Sequence, residues 1–180
     1  MAISATVYSL EIALNDADRG VYESLAFRVA RHPSESTEFL ATRILAYCLE
    51  YSEGLAFSKG LSDPDAPAMS IRDLTGELRS WIEVGLPEAP RLHKASKASP
   101  RVAIYPHKDP AQMLARLGSD GGIYRAQSIE IHAIDHDLLS GFSALLDRRM
   151  KIDLAVSDRQ LYLAVGTENL SGAVILHHLA

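Results

Sequence analysis

The period at which apolar residues recur changes repeatedly along this chain, and that alternation limits its fold more than any other feature. Residues 4–14 and 21–30 read as two strands about the polar turn Asn15-Asp16-Ala17-Asp18-Arg19-Gly20, a long hairpin. The period then lengthens. Leu40, Ile44, Cys48 and Tyr51 share one helical face over residues 34–53, with Ser34 after Pro33 as the N-cap and Gly54 as the stop. Residues 60–67 are a loop of Asp, Pro and Gly, and strands follow over 68–72 and 78–84, joined by a turn containing Gly76. Pro87 and Pro90 open a short basic helix to about residue 98, and a strand covers 101–105. Helix 109–117, strand 127–134 and helix 137–146 come next, then a hairpin of 151–156 and 161–165 and a last strand over 173–178. Strands and helices interleaved in this order predict an α/β (α+β) fold, a mixed β-sheet flanked by helices.

Composition sets the compartment and narrows the function classes. A chain of 180 residues, 47% hydrophobic and 23% charged, buries a core without covalent staples, so one domain over 1–180 is expected. The single cysteine, Cys48, excludes an internal disulfide and reads as a core residue of the long helix. The opening residues 1–8 lack a basic region followed by an apolar run, and nothing approaches a membrane span, so the expected location is the cytosol, with no membrane partner. A net charge of −5 argues against coating nucleic acid by bulk electrostatics. Residues 89–108 are the exception: they hold no Asp or Glu but carry Arg91, Lys94, Lys97, Arg101 and Lys108.

Immediately before that basic segment lies a hairpin with an acid on each arm, Asp73 ahead of Gly76 and Glu83 in Trp81-Ile82-Glu83-Val84-Gly85. Hard carboxylate oxygens from neighbouring strands can grip Mg²⁺ or Mn²⁺, which keeps its other positions for water and a phosphate oxygen. Such an ion polarises the phosphate and yields hydroxide at neutral pH, and a nearby lysine stabilises the charge that grows in the transition state. The two acids meet if the turn centres near Leu78 or the strand bulges. A tight turn at Gly76 leaves them several rungs apart, with Asp65 as the substitute ligand and Asp73 as a turn former.

Other residues read more plainly. His132 and His136 straddle a strand–helix junction, and His177-His178 alternate faces, so neither pair makes a zinc site. Residues 118–122 lack the Lys-Ser/Thr ending of a phosphate-binding loop, and no Ser sits in a nucleophile elbow.

The pattern Asp73-x9-Glu83-x-Gly85-x-Pro87 resembles the PD-(D/E)XK nuclease signature, in which an Asp precedes a strand carrying Glu-x-Lys. Further segments, Arg31-His32-Pro33-Ser34-Glu35, Phe57-Ser58-Lys59-Gly60-Leu61, Trp81 to Pro87 and Lys94-Ala95, are similar to the YaeQ family of bacterial proteins across essentially the whole chain. The resemblance implies a nuclease-like core over about 34–134 with extra N- and C-terminal β-hairpins. It also implies Glu35 as a further metal ligand and Arg31 and Arg43 as partners for acids in the cleft. Gly85 stands where the signature has its lysine, and Lys94 on the next helix is where a migrated lysine comes from.

Three functions follow. The first is a Mg²⁺- or Mn²⁺-dependent phosphodiesterase acting on nucleic acid, with Asp73, Glu83 and Lys94 catalytic. The second is a core that binds nucleic acid through Arg91, Lys94, Lys97 and Arg101 without cutting it. The third is a module that binds a protein partner on the same scaffold.

Overall fold

The computed structural model describes residues 4–58 and 65–179. In chain order the elements are β1 (Thr6–Asp16), β2 (Val21–Arg31), α1 (Thr37–Leu49), β3 (Leu55–Phe57), β4 (Met69–Arg72), β5 (Leu78–Val84), α2 (Ala89–Ala98), β6 (Arg101–Tyr105), α3 (Ala111–Asp120), β7 (Glu130–Ile134), α4 (His136–Leu145), β8 (Arg149–Ser157), β9 (Gln160–Val165) and β10 (Glu168–His178). They form two compact units, Met1–Ile44 with Ile134–Val174, and Leu45–Ala133 with Ile175–Ala180. The fold class is α+β, as the alternation of periods predicts.

The first unit has the strand order β2-β1-β8-β9-β10. The β1–β2 hairpin is antiparallel along its whole length, from Thr6↔Arg31 to Asp16↔Val21, while β8 joins β1 in parallel. Alternate side chains of β1 point to opposite faces. Tyr8, Leu10, Ile12 and Leu14 are buried, while Val7, Glu11 and Asn15 on the other face are exposed. Helix α4 closes on β10 at two glycines. A Cβ at Gly141 would meet the Leu170 side chain at 3.1 Å, and one at Gly172 would meet Asp135 Cβ at 2.6 Å. Asp135 is the N-cap of α4 and accepts the Leu138 amide at 3.0 Å.

The second unit has the order β7-β6-β5-β4-β3, with β5–β6 and β6–β7 parallel and β3–β4 and β4–β5 antiparallel. The strand over 78–84 is therefore central. Trp81, Val102, Ile104 and Ile131 form a buried cluster with Leu92 and Ala95 of α2 and Met113 and Leu117 of α3. Burying each large side chain contributes about 1.5–3 kcal/mol.

Several boundaries differ from the sequence expectation. Helix α1 starts at Thr37, because Ser34 is held in a turn: its hydroxyl lies 2.6 Å from His32 Nδ1, and the Glu35 amide donates to His32 O at 2.9 Å. Ser36, not Ser34, accepts the capping hydrogen bond, from the Phe39 amide at 3.1 Å. The helix ends at Leu49, ahead of Gly54, whose φ of +88° and closeness to Arg72 O leave no room for a Cβ. Strand β3 was not expected, since three residues carry too little alternation to register. Strand β10 begins at Glu168, earlier than expected. Lys59-Gly60-Leu61 of the family segment and Asp63-Pro64 lie outside the described residues. Among the described residues no helix is long and apolar enough to cross a membrane.

Candidate functional site

In the second unit Glu83 shares its sheet face with Trp81, the face covered by α2, and it is 5% exposed. A carboxylate there needs partners, because an unpaired charge in an apolar setting is costly. Trp81 Nε1 donates to Glu83 Oε1 at 2.7 Å. Arg91, in the first turns of α2, donates from Nε to Oε2 at 2.9 Å and places Nη2 2.9 Å from Oε1. The same Nη2 donates to Ala66 O at 2.7 Å, and the guanidinium stands 5.8 Å from the Trp81 ring centroid. One turn further along α2, Lys94 pairs with Asp65, the residue before Ala66. Lys94 holds the Asp65 carboxyl below its usual range. Asp65, Glu83, Arg91 and Lys94 are thus gathered from a loop, a strand end and a helix.

Asp73 is not part of this group. In the β4–β5 pairing Met69 faces Ile82 and Arg72 faces Leu78, so Asp73 follows the Leu78 end of the hairpin. Glu83 is five residues further along β5, about 17 Å at the strand rise. Asp73 organises the turn instead. Its Oδ1 accepts the Thr75 hydroxyl at 2.5 Å, the Thr75 amide at 2.9 Å and the Glu77 amide at 3.0 Å, and Arg79 Nε donates to Oδ2 at 2.8 Å. The Thr75 hydroxyl, with the Glu77 amide and Arg79, brings its pKa down to about 2. Asp73 as a metal ligand beside Glu83 is corrected to a turn-forming Asp.

Glu35, Arg31 and Arg43 belong to the first unit and meet one another there. Arg43 Nη2 lies 3.4 Å from Glu35 Oε2 and also donates to Ala30 O, while Arg31 Nε donates to Glu35 O at 3.0 Å. Burial raises the Glu35 pKa in spite of both arginines.

Arg101 also departs from expectation. Rather than facing a phosphate backbone, it lies on the opposite face of the second unit's sheet and binds Glu50 through Nη1 (2.7 Å) and Nη2 (3.0 Å) and Glu130 through Nε (2.8 Å). Tyr105 Oη donates to Glu50 at 2.6 Å, and His132 Nε2 lies 3.0 Å from Glu130. The His132 and Arg101 contacts bring the Glu130 pKa down to about 2. This network escaped the sequence reading because Arg101 is 51 residues from Glu50 and 29 from Glu130. It sits at the starts of parallel strands β6 and β7, whereas Glu83 sits near the carboxyl end of β5, where open α/β sheets bind ligands.

The glycine at position 85 has a local cause. Gly85 has φ +115°, a conformation that L side chains rarely adopt, and its amide continues the sheet by donating to Tyr105 O at 3.0 Å.

A family model described as YaeQ protein matches residues 1–174. A protein of Escherichia coli (strain K12) named "Uncharacterized protein YaeQ" is 29% identical over 170 residues, 94% of each chain. Among solved structures, YaeQ from Pseudomonas syringae is 33% identical with a TM-score of 0.86, covering 96% of this chain and 95% of that one. YaeQ from Xanthomonas axonopodis pv. citri is 26% identical with a TM-score of 0.81, covering 98% and 100%.

Proposed function

The chain belongs to the YaeQ family, and on that basis we propose that Asp65, Glu83, Arg91 and Lys94 form the reaction centre of a metal-dependent phosphodiesterase acting on nucleic acid, built on a PD-(D/E)XK-like core. The observation that carries this reading is the bridging position of Arg91 Nη2. It touches both Glu83 Oε1 and Ala66 O, which draws Asp65 and Glu83 toward one place while Lys94 pairs with Asp65 beside them. Carboxylates that can hold an ion and cations that can balance phosphate charge are the groups that metal-assisted hydrolysis of a phosphodiester uses.

The donor set fits a hard divalent ion. Among the described residues no group of three or more His, Cys, Asp or Glu side chains could hold a metal, but Mg²⁺ is commonly bound by one or two carboxylates, with water and phosphate oxygens supplying the rest. Asp65 and Glu83 would hold it, with the Ala66 carbonyl nearby. Bound there, the ion supplies polarisation of the phosphate and an activated water. The chain's own residues do the remainder. Trp81 Nε1 orients Glu83, and Arg91 and Lys94 neutralise the two acids until substrate arrives. A phosphodiester then competes for both cations, which frees carboxylate oxygens and leaves Arg91 and Lys94 to stabilise charge developing on phosphate. Lys94 takes the role of the lysine that the nuclease signature has at the position of Gly85.

A second reading, a core that binds phosphate without cutting, is favoured by the engagement of both Glu83 oxygens with Trp81 and Arg91. Cleavage assays separate the two. Single- and double-stranded DNA and RNA are incubated with Mg²⁺, Mn²⁺ or EDTA, using wild type, Glu83→Gln and Asp65→Asn. Metal-dependent cleavage lost in both variants supports the enzyme, and phosphate-dependent binding without cleavage supports the second reading.

A further inference from the structure

Tyr124, in the segment between α3 and β7, is 48% exposed although its backbone is tied to α2. Its amide donates to His93 Nδ1 at 3.2 Å. The next residue, Arg125, has a left-handed backbone (φ +48°) and places its guanidinium 5.1 Å from the Tyr124 ring centroid. Arg125 is held there, because Nη2 donates to Ser96 O and Ser99 O, both at 3.1 Å, at the end of α2. Lys97 approaches the same ring, with Nζ 5.9 Å from the centroid. It is exposed, and the ring is the partner of its ammonium among the described residues. Of the two cations beside the ring, Arg125 is the one anchored to the end of α2.

Arg91, Lys94 and Lys97 recur every third residue of α2, about 4.5 Å apart along the axis. A three-residue step turns about 60° short of a full circle, so the row slants across the helix. It runs from the flank where Arg91 meets Glu83 to the flank where Lys97 meets Tyr124. No acid lies on α2 itself.

We propose that this slanting row and Tyr124 form a track for single-stranded nucleic acid, with an unpaired base stacked on Tyr124 and successive phosphates on Lys97 and Lys94. The proposal rests on the reaction centre assigned above, to which the track leads. Stacking on an exposed aromatic ring requires a base with a free π-face, which a duplex does not offer, and cations beside such rings are the recurring partners of the single-stranded backbone. Arg125 keeps the ring in place while Lys97 swings from its face to a phosphate.

The test measures binding without catalysis: fluorescence anisotropy of a short labelled single-stranded DNA, and of the same sequence as a duplex, in EDTA. Tyr124→Leu should weaken single-strand binding by about 5- to 100-fold, whereas Tyr124→Phe and Tyr124→Trp should retain it with an unchanged melting temperature. Lys97→Ala should weaken binding and lower the slope of log affinity against log salt by about 0.7. Wild-type protein that binds no oligonucleotide, a duplex bound as tightly as the single strand, or equal loss in the Leu and Phe variants overturns the track. Single-strand binding through Tyr124 without any cleavage overturns the enzyme and leaves the track. Metal-dependent cleavage with Tyr124→Leu binding unchanged does the reverse.

Discussion

Arg91 grips Glu83 side-on, with Nε and Nη2 each 2.9 Å from a different carboxylate oxygen. The pair joins α2 to β5 eight residues apart, and it is unequal: the Glu83 side chain is 7% exposed and that of Arg91 28%. Removing the more solvated partner therefore strands the buried one.

Arg91→Ala should cost about 3–5 kcal/mol, because a buried carboxylate loses its counter-charge. Glu83→Gln should cost only about 1.5–3 kcal/mol, since the amide oxygen still accepts from Trp81 while Arg91 keeps access to water. Urea denaturation of both variants checks the order, and a larger loss for Glu83→Gln would reverse the account of this pair.

Arg101→Ala should destabilise the protein by about 3–5 kcal/mol by stranding Glu50 and Glu130. If Arg101 acted mainly on nucleic acid, the variant would melt like wild type and lose only affinity.

Acid should weaken the same network. Glu130 has its folded pKa lowered from 4.5 to about 2. Glu50 is also lowered, since Arg101 and Tyr105 outweigh the opposing effect of burial. A depressed carboxylate stabilises the fold above its unfolded value and loses that contribution as pH falls through the folded one. Stability should therefore drop between about pH 5 and pH 2, with about 2 kcal/mol from Glu130 after allowing for its partial exposure. Melts of Glu130→Gln across that range should show a shallower acid limb, and a limb as steep as wild type would assign the loss elsewhere.

Gly85→Lys places a lysine where the nuclease signature has one. The positive φ at Gly85 makes the substitution cost about 1–3 kcal/mol. A thermal melt checks it. A variant as stable as wild type would mean that the backbone accepts a side chain there.

The alternation of periods was enough to predict a strand over 78–84 within a mixed sheet, followed closely by a basic helix, while Lys94 was marked by the resemblance to the nuclease signature. Asp73 misled because its spacing to Glu83 matches the nuclease signature, while Thr75 and Gly76 after it make a tight turn, and the turn took its oxygens. Arg101 misled for another reason. Its partners come from the residue after α1 and from β7, and no local pattern reports a contact over that distance in sequence. The first turn of α1 shifted because Ser34 and Ser36 are equally good caps, and His32 claims the earlier one.

The most direct test compares Asp65→Asn with Asp73→Asn in cleavage of single-stranded DNA with Mg²⁺ or Mn²⁺. With Asp65 and Glu83 at the reaction centre, Asp65→Asn should abolish the metal-dependent cleavage shown by wild type, while Asp73→Asn should retain it. Cleavage that survives Asp65→Asn and disappears with Asp73→Asn, or wild-type protein that cuts with neither ion, would contradict the account.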